Sequence, residues 1–201
     1  MRLDPSELEG RTPYRLITSI VVPRPIAWVS SLSESGVRNL APHSYFNVIS
    51  SAPPIVHFTS TGVKDSLTNV RATGEFVVNI VSLELVEAMN LTSADFPPEE
   101  DEFSWAGVEG APSEKVRPER VAAAKAALEC KVKDIVSMGN GHMVFGDVVS
   151  IYLDDEVFVD GKVSAEKLKP VARLGAAEYC AVTEVFSIVR PKWSDLRPEG
   201  E

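Results

Sequence analysis

The chain has 201 residues, 44% of them hydrophobic and 24% charged, which excludes two large domains and places it with globular chains rather than with those too polar to bury a core. Twenty Lys and Arg stand against 29 Asp and Glu, a net charge of −9; a phosphate backbone is bound by positive charge that displaces counterions, so nucleic acid is excluded as a partner. No apolar run approaches the roughly 18 residues of a membrane span, and Met1-Arg2-Leu3-Asp4-Pro5 lacks the apolar stretch of a secretory signal, so the expectation is a cytoplasmic protein with no membrane partner.

A Pro-punctuated opening leads into residues 25–32, rich in β-branched and aromatic side chains, and Ser33-Glu34-Ser35-Gly36 is a turn. That is the first strand of a hairpin. The return, 37–48, carries Pro42 in its middle, which predicts an edge strand or a bulge and leaves some backbone groups without a ladder partner. Pro53-Pro54 opens a third strand over 55–59. From Asp65 the spacing of Leu67 and Val70 becomes helical, and Thr73-Gly74 is a C-terminal stop. A strand over 75–81 follows, then a helix over 82–89, then an acidic, poorly periodic stretch from 91 to 118 that reads as a long surface excursion. The Ala-rich run after Val121 favours helix by propensity, but residues 129–136 alternate polar and apolar, so a strand is predicted from about residue 127. Met138-Gly139-Asn140-Gly141 is a tight turn, 142–153 its partner strand, and 179–189 a last strand. Six or seven strands with connections too short for helical crossovers, and two or three short helices, mean a mainly β, antiparallel sheet, and closure into a small barrel hides its edges. Cys130 and Cys180 fall in alternating stretches and read as inert core thiols.

Self-sufficient catalytic signatures are missing: there is no GxSxG, Walker A, HExxH or GxGxxG. His43, His57 and His142 are far apart, with no carboxylate at ligand spacing, which argues against a metal site. A chain so short of acid–base pairs points to chemistry borrowed from a cofactor. Two stretches bear on which one. In 59–69 a strand ends in Ser60-Thr61-Gly62, and Lys64, Asp65 and Ser66 precede a helix; hydroxyls, an ammonium and open N–H groups suit a phosphate, although ordinary loop and capping chemistry uses the same residues. In 39–47 a Pro-interrupted edge sits beside Ser44 and Asn47 among aromatics, a mixture that suits a flat heteroaromatic ring with polar edges and equally a plain bulged strand.

Three blocks, Arg24-Pro25-Ile26-Ala27-Trp28-Val29-Ser30-Ser31, Asn39-Leu40-Ala41-Pro42-His43-Ser44-Tyr45-Phe46-Asn47, and Lys64-Asp65-Ser66-Leu67-Thr68-Asn69 with Glu75-Phe76-Val77-Val78-Asn79, resemble in order and spacing the flavin reductase-like, FMN-binding split-barrel family. The likeness continues through Gly141-His142-Met143-Val144-Phe145-Gly146 and Arg173-Leu174-Gly175 with Tyr179, and so covers about residues 12–190. It implies a six- or seven-stranded antiparallel split β-barrel, a homodimer with FMN at the subunit interface, and hydride transfer from NADH or NADPH to flavin. Residues 1–11 are then an extension and 191–201 a tail.

Carried over by position, the resemblance implies that Ser30, Ser31, Asn39, Ala41, Pro42, Ser44 and Asn47 line the isoalloxazine and ribityl parts of FMN. Ser60, Thr61, Lys64, Asp65 and Ser66 would surround its phosphate, with acidic Asp65 capping the helix or orienting Lys64. His142 would be the catalytic residue, near the nicotinamide, against the alternative that it merely ends a hairpin. Arg173 either meets a cofactor phosphate or pairs with the abundant acids, the second being favoured. His57 reads as a core or interface residue and Trp28 as core. The acidic stretch 95–102 either covers the flavin groove or excludes a dinucleotide from it. The function expected is an NAD(P)H:flavin oxidoreductase passing electrons to a monooxygenase or other acceptor; the alternative is a non-catalytic FMN-binding module for storage or electron carriage.

Overall fold

The structure, a computed structural model, describes residues 1–196; the end of the charged tail, 197–201, lies outside the described residues. Seven strands form one sheet: β1 (Ala27–Leu32), β2 (Arg38–His43), β3 (Phe46–Ser51), β4 (Pro54–Thr61), β5 (Glu75–Ile80), β6 (Ala126–Met138) and β7 (Gly141–Leu153). Their spatial order is β2-β1-β5-β6-β7-β4-β3, with every neighbouring pair antiparallel. The two outermost strands are consecutive in the chain, separated only by Ser44 and Tyr45. The sheet therefore wraps round until its edges meet at that joint, where the Tyr45 carbonyl accepts the Thr59 N–H at 2.8 Å. Pro42, which has no N–H to give a second neighbour, sits on β2, paired only with β1.

Inside the wrap, Ala27, Val29, Val56, Phe58, Phe76, Val78, Cys130 and Val144 pack with Leu67 and Val70 of helix α2 (Asp65–Thr73). That helix stops where its sequence predicts, at Gly74, which takes φ 71° and returns its N–H to the Val70 carbonyl. The other face of β1 is buried as well: Trp28 and Leu40 form a second core with Met89 of α3 (Val86–Leu91) and Phe103 of α4 (Glu102–Trp105). The Trp28 Nε1–H donates to Thr92 Oγ1 at 2.8 Å. Cys130 and Cys180 are both free thiols, and burial, with Glu129 and Asp147 nearby, pushes the Cys130 thiol up.

The opening holds a helix that the sequence reading leaves out, α1 (Thr12–Ile20), with Pro13 in its first turn, where a missing N–H is harmless. The strand expected over 179–189 ends at Ala181, because beyond it the chain finds no ladder partner among the described residues. Its short paired part belongs to a small antiparallel sheet of Arg24–Pro25, Val171–Arg173 and Tyr179–Ala181, in which Arg24 registers with Arg173 and Arg173 with Tyr179. Among the described residues no helix is long and apolar enough to cross a membrane.

Candidate functional site

A cavity of about 350 Å³ opens where β2, the end of β4, the start of α2 and residues 92–102 converge. β2 contributes Asn39, Ala41, Pro42 and His43, and β4 contributes Ser60 and Thr61. Lys64, Asp65 and Ser66 line the same cavity. Lys64 flanks α2 without capping it by a side-chain hydrogen bond, so the first N–H groups of this nine-residue helix are left for another acceptor. The Lys64 ammonium meets Asp95 at 3.1 Å, with both side chains exposed. Such a pair contributes about 1 kcal/mol or less, so the ammonium can turn to a stronger anion.

Beneath the cavity lies a buried polar chain. Asn39 Oδ1 accepts from Ser31 Oγ at 3.2 Å and from Ser66 Oγ at 3.0 Å, while its Nδ2 donates to Glu102 Oε1 at 2.6 Å. Glu102 also accepts the Leu40 N–H at 3.1 Å, and Asn69 Nδ2 donates to Ser31 Oγ at 3.2 Å. Burial pushes the Glu102 carboxyl up, against the pull of its hydrogen bonds from backbone N–H groups and Asn39. His43 Nε2 lies 3.2 Å from Ser66 Oγ, and its ring tilts against Phe58 at 4.7 Å. Burial pushes this imidazole down to about 4, the nearby Lys64 charge acting the same way, so it is neutral at pH 7.

The acidic excursion reaches over this cavity, with Ala94, Asp95, Phe96, Pro98 and Glu102 among its lining residues. It is fastened by Arg38, which grips Asp101 at 2.5 Å and Glu119 at 2.9 Å and lies over the Phe103 ring. Neither Glu102 nor His43 is singled out by spacing. Glu102 sits among many acids and His43 in a strand, so only their burial marks them.

Of the residues expected to hold a cofactor, the structure brings Asn39, Ala41, Pro42, Ser60, Thr61, Lys64, Asp65 and Ser66 round one cavity. Ser31 stands one hydrogen bond behind it. Ser44 lines a neighbouring cavity and, with Asn47, a smaller hollow beside His57. The Ser30 hydroxyl points elsewhere, to the Glu119 carbonyl at 2.5 Å. His142 is opposite Ser60 and Ser137 in register and does not line the cavity; its Nδ1 is 2.7 Å from Ser137 Oγ. His57 is half-buried on β4, as a core or interface residue would be. Arg173 departs from the acid pairing expected of it: its guanidinium bonds Tyr179 Oη and the Ala176 carbonyl and lies 4.5 Å over the Tyr179 ring.

Residues 19–166 match the flavin reductase like domain family. An uncharacterized protein, BH2278 of Halalkalibacterium halodurans, is 39% identical over 98% of this chain and 100% of its own length. Nitrilotriacetate monooxygenase component B from Bacillus cereus superposes with a TM-score of 0.90 at 32% identity, over 94% of this chain and 98% of that one. The 2-nitrobenzoate 2-nitroreductase NbaA of Pseudomonas fluorescens gives the same TM-score and identity over 100% of both chains. The wrapped sheet, with its edges meeting at Ser44 and Tyr45, is a split barrel.

Proposed function

We infer that this chain, which belongs to the flavin reductase like family, is an FMN-dependent oxidoreductase that takes hydride from NADH or NADPH and passes the electrons to an acceptor. One observation carries the reading: a single cavity has the uncapped start of α2, Lys64 and the Thr61 hydroxyl at one end and the Ala41-Pro42 wall at the other, while the Ser60 and Ser66 hydroxyls beside them already donate to the Gly62 carbonyl and to Asn39 Oδ1. The first end suits a phosphate and the second a flat ring. FMN carries both in one molecule. Two carboxylates, Asp65 and Asp95, share the phosphate end. Asp65 lies in the first turn of α2, where the helix dipole favours it, and Asp95 is the present partner of Lys64, which an incoming phosphate would take over.

Bound flavin supplies the two-electron chemistry that no side chain here provides. The chain's own residues bind, orient and shield. The Glu102–Asn39–Ser66 chain fixes the spacing between β2 and α2, so the two ends of the cavity keep one separation. Neutral His43 backs the cavity without adding charge, and residues 94–98 cover it against water.

The acceptor follows from whether the cofactor leaves. The Bacillus cereus neighbour is a monooxygenase component and the Pseudomonas fluorescens one a nitroreductase, so we propose a partner monooxygenase if flavin exchanges and a small acceptor in the groove if it stays. We also propose a homodimer. Ile17 and Ile20 of α1 and Val185, Phe186, Ile188 and Val189 of the extended segment are exposed apolar side chains, a combination that marks a surface made to be covered.

The test is spectroscopic. Purified protein is expected to be yellow or to take up about one FMN per chain, and colourless protein that ignores added FMN overturns every flavin reading. Anaerobic mixing of the loaded protein with NADH or NADPH should bleach the flavin; bound flavin that neither nucleotide bleaches identifies a non-catalytic module instead.

A further inference from the structure

A second cavity, of about 530 Å³, adjoins the first, with Pro42 and Ser93 lining both. Four arginines line it, Arg11, Arg15, Arg24 and Arg173, and no Asp or Glu does. In a chain of net charge −9 this is the reverse of the average surface. None of the four has a carboxylate within ion-pair distance among the described residues.

Three of the four guanidiniums, those of Arg11, Arg24 and Arg173, are held in place by something other than an acid. Arg11 lies over the Tyr14 ring at 5.0 Å and Arg173 over the Tyr179 ring at 4.5 Å, a stacking that orients a cation without neutralising it. Arg24 is only 8% exposed and donates to the carbonyls of Thr18, Val21 and Leu174, yet its buried Nε has no hydrogen-bond partner. Cross-strand register places Arg24 beside Arg173 and Arg173 beside Tyr179. Buried or partly buried charge with no counter-ion is costly unless an anion completes it. The rest of the wall combines apolar and aromatic residues, Ile26, Met89, Leu174 and the two tyrosines, with the hydroxyl residues Thr18, Ser44 and Ser93.

We propose that this cavity receives the oxyanion of the second substrate, a planar molecule whose carboxylate or phosphate is held by Arg11, Arg15 and Arg173 while its uncharged ring reaches over Pro42 toward the flavin cleft. The proposal rests on the flavin reading above and deepens it: the cofactor takes the first cavity and the molecule that exchanges hydride with it takes the second. Guanidinium forks match carboxylate and phosphate oxygens in pairs, which a lysine cluster would not do. An oxyanion of this kind comes either from an aromatic carboxylate acceptor or from the phosphates of the nicotinamide donor.

The test is equilibrium binding to the FMN-loaded protein by calorimetry, with benzoate, its neutral isostere benzyl alcohol, NADH and NADPH as probes. It compares the native chain with the exposed double variant Arg11→Gln/Arg15→Gln and with Arg173→Gln. FMN uptake of every protein is measured alongside. The expected result is that benzoate or the dinucleotides bind the native chain, benzyl alcohol does not, and the double variant loses about tenfold or more in affinity, as for removed charge-assisted hydrogen bonds. Loss confined to benzoate assigns the arginines to an acceptor carboxylate, and loss confined to the dinucleotides, greater for NADPH, assigns them to the donor's phosphates. FMN bound normally with no oxyanion affinity, or with an affinity the double variant leaves unchanged, overturns this proposal alone. Failure to take up FMN overturns the flavin reading. Arg11 and Arg15 are exposed and bond no core group, so the double variant gives an answer even if Arg173→Gln fails to fold.

Discussion

Acidification is expected to destabilise this protein through His43, over a pH window that the structure defines. The imidazole is buried beside Phe58 and Ser66, and burial, with the Lys64 charge, carries it from 6.5 down to about 4, although a hydrogen bond with the Thr59 backbone works the other way. Between those two values the unfolded chain binds a proton that the folded chain refuses. Stability therefore rises with pH across the window and is lost as pH falls from 6.5 toward 4. At about 1.4 kcal/mol per pH unit the gap amounts to about 3 kcal/mol, a large share of the roughly 5–15 kcal/mol that holds a domain folded. Urea unfolding followed by tryptophan fluorescence at pH 4, 5, 6 and 7, at one fixed flavin concentration, measures it. In His43→Asn the slope between pH 4 and 6.5 should flatten by about that amount. Glu102 works in the opposite sense: its carboxyl is raised by burial, so its contribution falls as pH climbs above 4.5. It is present in both proteins, so the difference between them reports the histidine. Parallel loss of stability in the native chain and in His43→Asn would refute the reasoning.

Other expectations follow from the same geometry. Glu102→Ala strands the Asn39 amide and the Leu40 N–H in a buried setting and is expected to cost about 2–6 kcal/mol, at about 1–3 kcal/mol per orphaned donor; an unchanged thermal midpoint would show that neither depends on the carboxylate. Lys64→Ala should weaken FMN by about tenfold while leaving riboflavin nearly untouched, because only FMN carries the phosphate charge; equal losses measured by flavin fluorescence would remove Lys64 from the phosphate end. A Cβ on Gly146 would lie 2.5 Å from Phe76 Cζ and 3.0 Å from Cys130 Cβ, so Gly146→Ala should destabilise by about 1–3 kcal/mol through overpacking, as chemical denaturation would register. His142→Ala is expected to slow anaerobic flavin reduction and spare flavin uptake, and an unchanged rate in stopped flow returns His142 to the hairpin and its bond to Ser137.

What was legible in the sequence was whatever repeats within a few residues. The alternation from residue 129 through the glycine turn to β7, and the helix from Asp65 halted at Gly74, use periods and stops that local sterics enforce. Pro42 marked an edge because a missing N–H acts where it stands. Helix α1 is left out because the opening is read only as Pro-punctuated, although Tyr14, Ile17 and Ile20 recur at three-residue spacing and Pro13 falls in the first turn, where a helix tolerates it. The strand expected beyond Ala181 had the right alternation, but a ladder needs a neighbouring edge, and alternation does not say whether the chain supplies one.

The arginines make the same point in electrostatic form. With 29 acids against 20 bases, pairing Arg173 with a carboxylate is the natural expectation, because a chain average makes an acid the commonest neighbour. Topology overrides the average: Arg24 and Arg173 are brought side by side by a three-stranded sheet whose members come from opposite ends of the chain, and α1 adds Arg11 and Arg15 to the same cavity. The acids meanwhile are spent elsewhere, Asp101 and Glu119 on Arg38, Asp95 on Lys64 and Glu102 on Asn39. Net charge constrains the far field that an approaching molecule meets at a distance. Inside a cavity within about a Debye length, roughly 8 Å at physiological salt, only the local set counts. In the cavity of the four arginines that set is positive, which is why an anionic second substrate is proposed for a chain that is acidic overall.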